Sequence, residues 1–282
     1  MTAALFTEAL RPARGFMFDL DGTLILSDKA LGGYQLLPGA IELLTELRDR
    51  DIPFLALTNG SAYPAAQQAP RLRALGLPIA DTHLFTPNSV AGHVFRARGF
   101  ERVLVLGTQG VVDALTGEGI ATVRPGEDGA EKADAVYVAW HPDCGMPDIH
   151  AACEAVLGGA ALFSASDVPF FASQAGRAFG YSCAIGGAIA RVTGREPEVT
   201  GKPSLHAMHF VSAKLDVPVE DVVVIGDDPK VETEMARAGG AMGIGVTTGT
   251  TSAAEWAAQA PERRPHRVIS GLDEIRELGL LG

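Results

Sequence analysis

Runs of four or five unbroken apolar residues constrain this chain more than any other feature. Gly15–Phe18, Pro53–Leu57, Arg102–Leu106, Ala135–Ala139 and Asp221–Ile225 are apolar at nearly every position, without the alternation of a half-exposed strand. Such strands must be covered on both faces, which requires a parallel sheet with crossover helices. The intervening segments carry helical periods. Pro38-Gly39 opens a helix with Ile41, Leu43, Leu44 and Leu47 on its apolar side. Near the end, Val231 to Ala238 reads as helical and Ala241 to Val246 as extended. An α/β protein with a doubly wound parallel sheet is the expectation.

The 282 residues suggest two domains, or one large one. From about Pro87 to Gly194 the composition shifts toward Gly, Ala and acidic turns, and polar site-like clusters thin out. That stretch, about 110 residues, is a domain's worth with its own strand and helix signals. The expected organisation is a core formed by 1–86 and 195–282, with 87–194 inserted as a second α/β domain.

Charge and cysteine usage narrow the function. The net charge is −11, with no basic stripe, which argues against nucleic acid or an anionic membrane as partner. No apolar stretch approaches a bilayer-spanning length. Arg11 and Arg14 follow the few N-terminal apolar residues, the reverse of a signal peptide. Cys144, Cys153 and Cys183 are odd in number and lack C-x-x-C spacing, as expected of reduced thiols in a cytoplasmic protein.

Polar clusters follow three of the apolar runs: Asp19 and Asp21, Thr58 and Asn59, and Asp227 and Asp228. Each alone is an ordinary turn signal. Together, at the carboxyl ends of parallel strands, they should converge on one crevice. Clustered carboxylates are best tolerated around a hard divalent cation such as Mg²⁺, which keeps waters and accepts a substrate phosphate. A carboxylate at a strand tip can also attack phosphorus. Asp19, directly after its strand, is the more rigidly aimed, and Asp21 in the loop could reach a leaving-group oxygen.

Phe18-Asp19-Leu20-Asp21-Gly22-Thr23-Leu24 resembles the first motif of the haloacid dehalogenase (HAD) superfamily. Leu57-Thr58-Asn59 resembles the second, Gly201-Lys202-Pro203-Ser204 the third and Gly226-Asp227-Asp228 the fourth. The insertion between the second and third motifs has the position of a C2-type cap. Thr58-Asn59-Gly60-Ser61, Gly99-Phe100 and Thr193-Gly194-Arg195-Glu196-Pro197 further resemble the NagD-like phosphatases. The resemblance implies Asp19 as nucleophile and Asp21 as general acid, then base. It implies Mg²⁺ held by Asp19, the carbonyl of Asp21 and Asp227. Thr58 and the backbone of Asn59 would hold the phosphoryl group, with Lys202 against both Asp19 and the phosphate. The implied substrate is a small phosphorylated metabolite, and the oligomeric state is open, a homodimer included. One departure stands out. Relatives often carry an Asp four or five residues after the fourth-motif Gly-Asp, whereas this chain has Glu232 and Glu234. Support of the metal falls to Asp228 or Glu232.

Other signals weigh less. His141, Asp143, Cys144, His150 and Cys153 are metal-capable but lack repeated ligand spacing, and read as a loop entering a helix. His206 and His209 read as one wet and one packed histidine. Gly107-Thr108-Gln109-Gly110 lacks the G-x-G-x-x-G of a dinucleotide loop. The glycines between Gly180 and Gly187 read as tight packing or a cap hinge. Asp167, after Phe163-Ser164-Ala165-Ser166, stands near where relatives often have a threonine-asparagine pair and an Asp, and reads as a specificity residue or as a plain turn former. The alternatives to a phosphatase are a phosphotransferase or mutase with the same nucleophile, a catalytically idle phosphate-binding protein, and a metal-free dehalogenase. A binding module needs no nucleophile, the familiar mutases carry a smaller cap elsewhere, and the DxDGT pair favours phosphate.

Overall fold

A computed structural model describes residues 8–28, 33–173 and 176–282. They divide into two compact units. The first comprises the described residues up to Thr58, then Gln68–Phe85 and Lys202–Gly282; the second comprises Asn59–Gln67 and the described residues of Thr86–Gly201.

The first unit is built on six parallel strands in the order Arg267–Ile269, Met242–Val246, Val222–Gly226, Gly15–Phe18, Phe54–Leu57 and Leu84–Phe85. The strand that comes first in sequence lies in the middle. Phe16 stands opposite Val223 on one side and Phe54 on the other. From that strand the chain winds outward in one direction through Phe54–Leu57, and later in the other through Val222–Gly226. This reversal is the topological switch point at which doubly wound sheets bind ligands.

All four residues of Gly15–Phe18 are buried, as are those of Phe54–Leu57 and Val222–Gly226. Coverage comes from amphipathic helices. Ala40–Asp49 buries Ala40, Leu43, Leu44 and Leu47 and leaves Ile41 exposed. Leu205–Leu215 is started by the Ser204 hydroxyl, which accepts from the Ala207 amide at 3.2 Å, and buries Met208, Phe210 and Val211. Trp256 is fully buried; its ring lies over the backbone of Gly245 and its indole N–H donates to the Val246 carbonyl at 3.0 Å.

The second unit has its own sheet, in which Glu198–Val199, Ala161–Ser164, Ala135–Val138, Arg102–Leu106 and Ala121–Val123 run parallel. Leu104, Leu106, Val136, Val138 and Leu162 from the sheet pack with Ala152, Val156 and Ile189 from two helices, Met146–Leu157 and Tyr181–Thr193. Residues 59–67 and 195–201 belong here for a physical reason. Asn88 donates to the Ser61 carbonyl at 3.0 Å, and Glu198–Val199 is the edge strand of this sheet. Among the described residues no helix is long and apolar enough to cross a membrane.

The apolar runs therefore become strands within a residue of their expected limits, and the two that lie within 87–194 enter the sheet of the second unit. The segment expected to be a plain helix from Val231 begins instead as a wide π-helical turn, Pro229–Thr233, followed by a short α-helix, Glu234–Gly239.

A methyl group on Gly245 would sit 2.8 Å from the Trp256 ring. Gly245→Ala should lower stability by about 1–3 kcal/mol through overpacking, read as a fall in Tm and in the denaturant midpoint.

Candidate active site

Three neighbouring strands of the first unit end at the same edge: Gly15–Phe18 runs into Asp19, Phe54–Leu57 into Thr58 and Val222–Gly226 into Asp227. The backbone N–H of Asp19 still donates to the Ile225 carbonyl at 2.8 Å, so its side chain is aimed by the sheet itself. Beyond it the chain turns sharply. Gly22 adopts φ +87°, a conformation that only glycine takes at little cost, and its N–H donates to the Ile25 carbonyl at 2.7 Å. Asp21 lies on this turn with its side chain exposed. Thr58 is 7% exposed, and its amide donates to the Phe85 carbonyl at 3.2 Å. Asn59, the next residue, opens the second unit.

Lys202 is 1% exposed, an extreme burial for a lysine. Its ammonium donates to Asp19 Oδ1 and, at 2.7 Å, to Glu232 Oε1. Burial pulls the lysine pKa down, but the two carboxylates outweigh it and hold the ammonium above the ordinary lysine value. Asp19 responds oppositely. Burial raises its carboxyl well above the usual range, Lys202 opposes, and Glu232 and Asp227 add to the rise by repulsion. Burial likewise raises Glu232, against Lys202.

Glu232 lies on the π-helical turn. Its second carboxylate oxygen accepts from the Asp228 amide at 3.2 Å, and its side chain passes directly over Gly226, where an added Cβ would lie 2.1 Å from Cγ. Gly226 must therefore be glycine. Asp228 has a different job. Its Oδ1 accepts from the Lys230 amide at 2.8 Å and caps the turn.

Asp227 stands in a slot walled by glycines. A Cβ on Gly22 would lie 2.5 Å from Asp227 Oδ2, and one on Gly249 only 2.0 Å from it. The same oxygen accepts from the Thr250 amide at 2.7 Å, while the Thr248 hydroxyl donates to the Gly22 carbonyl at 2.6 Å. Burial raises the Asp227 carboxyl above its ordinary range, opposed by the hydrogen bonds from Thr250. The buried groups comprise three carboxylates, Asp19, Asp227 and Glu232, against one ammonium. That imbalance of two negative charges, offered by hard oxygen donors, is what a divalent cation would neutralise.

The sequence reading did not single out the Thr247-Thr248-Gly249-Thr250-Thr251 run. Its signal was present: a hydroxyl-rich, glycine-centred stretch directly after the apolar strand Met242–Val246, at the same sheet edge. In the second unit, Asp167 is exposed on the loop after Ala161–Ser164. That loop is pinned by the Ser164 and Ser182 hydroxyls, which donate to the Ser166 carbonyl at 2.9 and 3.0 Å.

Two family models match the chain. The family model of the haloacid dehalogenase-like hydrolases matches residues 16–121, and a second model of HAD-like hydrolases matches 199–275. The chain belongs to the haloacid dehalogenase-like hydrolases. Among curated relatives, the D-glycerol 3-phosphate phosphatase of Mycobacterium tuberculosis is 29% identical over 263 residues, 93% of this chain and 70% of that one. The ribonucleotide monophosphatase NagD of Escherichia coli is 25% identical, covering 83% of this chain and 87% of its own. Among solved structures, the M. tuberculosis glycerol phosphate phosphatase in complex with magnesium superposes with a TM-score of 0.79 at 28% identity, over 94% of this chain and 76% of that one. Within the superfamily the chain is of the NagD-like type.

Asp227 has a consequence for stability. A carboxyl whose folded-state pKa is raised binds its proton more tightly folded than unfolded, so ionising it at neutral pH costs stability. Asp227→Asn should therefore raise the Tm of the metal-free protein at neutral pH by about 2–4 °C; a divalent cation held at this edge should raise the Tm of the wild type but not of this variant. Gly249→Ala, which displaces the same carboxylate, should remove the cation-induced rise without that gain. Calorimetry with and without chelator measures both.

Proposed function

We propose that the protein is a phosphatase that hydrolyses a small phosphate monoester through an aspartyl-phosphate on Asp19, with Mg²⁺ bound at the edge of the first unit's sheet. The observation that carries the reading is the buried Lys202 ammonium held against Asp19, with Asp227 beside them and carboxylate in excess over cation. The magnesium complex of the M. tuberculosis relative supports the choice of cation. Asp19, the backbone carbonyl of Asp21 and Asp227 would hold the ion. When bound it would neutralise phosphate charge and align the phosphoryl group for in-line attack.

The chain's own residues carry the remaining work. An Asp19 carboxylate oxygen bonds to phosphorus as the bond from phosphorus to the ester oxygen breaks. Asp21, on the exposed turn, gives its proton to the leaving oxygen. In the second half it takes a proton from the water that attacks the aspartyl-phosphate, which restores both carboxyl groups. Lys202 offsets the charge gathering on the phosphoryl oxygens, the main demand of phosphoryl transfer. Thr58 and the Asn59 backbone would anchor the phosphoryl group. Glu232 acts through Lys202 as a positioning residue.

Residues 87–194 are proposed as the cap that meets the leaving group, with Asp167 as a specificity residue. The expected partner is a small phosphorylated metabolite, not nucleic acid, in a cytoplasmic setting. The relatives' names differ over substrate, from glycerol phosphate to ribonucleotides, which fits selection by the inserted unit rather than by Asp19.

Two measurements test this reading. Asp19→Asn, nearly isosteric, should abolish phosphate release from a panel of phosphate esters while leaving the fold intact, and rapid-quench labelling of the wild type should place the phosphate on Asp19. Appreciable turnover by folded Asp19→Asn, or full activity after exhaustive chelation, overturns it. On the same panel Lys202→Ala should depress kcat/KM for every ester alike, whereas Asp167→Ala should reorder the esters. Uniform scaling by Asp167→Ala would reduce that residue to a turn former.

A further inference from the structure

The second unit gathers side chains that the proposed reaction does not use. Strand Ala135–Val138 leads through Ala139 and Trp140 into a loop, and helix Met146–Leu157 leaves that loop. His141, Cys144 and Asp148 converge there, their donor atoms all within 4.8 Å of one another. His141 and Cys144 come from the loop and Asp148 from the first turn of the helix, so the spacing is H-x2-C-x3-D. The other metal-capable residues of the segment fall outside the group. Cys153 is buried in the hydrophobic core, and Asp143 and His150 are exposed.

We propose that His141, Cys144 and Asp148 form a binding site for a borderline-soft divalent cation such as Zn²⁺, separate in kind from the all-oxygen site around Asp19 and Asp227. Ordinary zinc bond lengths in a tetrahedron put neighbouring ligand atoms about 3.4–3.6 Å apart. His141 Nε2 and Asp148 Oδ2 lie 3.6 Å apart, which is long for a hydrogen bond and right for two ligands of one ion. Cys144 Sγ lies within 4.8 Å of both. The donor types match as well. One imidazole, one thiolate and one carboxylate suit zinc, and their two negative charges neutralise it.

The surroundings favour a defined site. Asp148 is held in place at the start of the helix, where the Gly145 amide donates to the same Oδ2 at 2.8 Å, and a hydrogen-bonded carboxylate is an oriented ligand. His141 and Asp148 are half-buried, with side-chain exposures of 16% and 26%, and Cys144 packs against the unit's core. The thiol now points its proton toward the Gly145 carbonyl, at 3.9 Å. Binding through the thiol would form a metal–sulfur bond, break the S–H bond and release the proton to solvent. The fourth position would be left to water. A bound ion would tie the loop to the first turn of the helix.

The test uses the full chain, freed of metal by chelation, in excess Mg²⁺ to occupy the oxygen site, and titrated with Co²⁺. Expected is a thiolate-to-cobalt charge-transfer band that saturates at one equivalent, is reversed by Zn²⁺, and accompanies release of about one proton. Cys144→Ser should abolish the band, and Cys183→Ser should keep it. Asp148→Asn, which still accepts from the Gly145 amide, and His141→Ala should each weaken binding at least about tenfold. Phosphatase activity of Cys144→Ser in Mg²⁺ should match wild type, so failure here stays distinct from failure of the proposed reaction. Absence of the band, its survival in Cys144→Ser, or affinity unchanged in both Asp148→Asn and His141→Ala overturns the proposal. If Cys144→Ser misfolds, the other two variants decide.

Discussion

The Lys202 ammonium, buried between Asp19 and Glu232, is the interaction on which the candidate site turns. A buried lysine without partners would lose its charge, and buried carboxylates without a cation would hold their protons. Each group is tenable because of the others. The arrangement joins residues 183 positions apart in sequence, the first strand's tip and the return of the chain into the first unit. It offers little net stability, since desolvation of both ions opposes their attraction. What it provides is a charged nucleophile candidate and a fixed positive charge at one sheet edge.

Around that pair the backbone has been cleared. Gly22, Gly226 and Gly249 come from three separate segments, and each lies where any Cβ would overlap the Asp227 or Glu232 carboxylate or its stem. The glycines are a packing requirement of acidic side chains set close to backbone. Thr248 and Thr250 then tie the last of these segments to Gly22 and Asp227 by hydrogen bonds. Charge excess and tight walls together make the metal-free edge costly, a cost that a divalent cation would relieve.

The departure from the expected motif falls on the π-helical turn Pro229–Thr233. The Glu232 side chain leaves that turn and passes over Gly226, where there is no room for a Cβ. Sequence periodicity over Val231–Ala238 could not reveal this, because a π turn alters the phase of the helix by one residue without changing its composition. The sequence left Asp228 and Glu232 as equals. Their hydrogen bonds separate them, one capping the turn and the other holding the lysine.

Much of the architecture was readable because it follows from local necessity. Strands apolar on both faces require cover on both faces, and acids directly after such strands stand at the sheet's carboxyl edge. The placement of Asp19, Thr58 and Asp227 at one sheet edge was therefore legible in the sequence. Other features depended on which segments meet in space. The membership of residues 59–67 and 195–201 in the second unit, the contacts of the Thr248–Thr250 loop, and the meeting of His141 and Cys144 with Asp148 were decided by tertiary structure. A strand's hydrophobic pattern records that it is buried, not beside which neighbour. The charge state of a carboxyl likewise depends on burial and on partners contributed by distant segments.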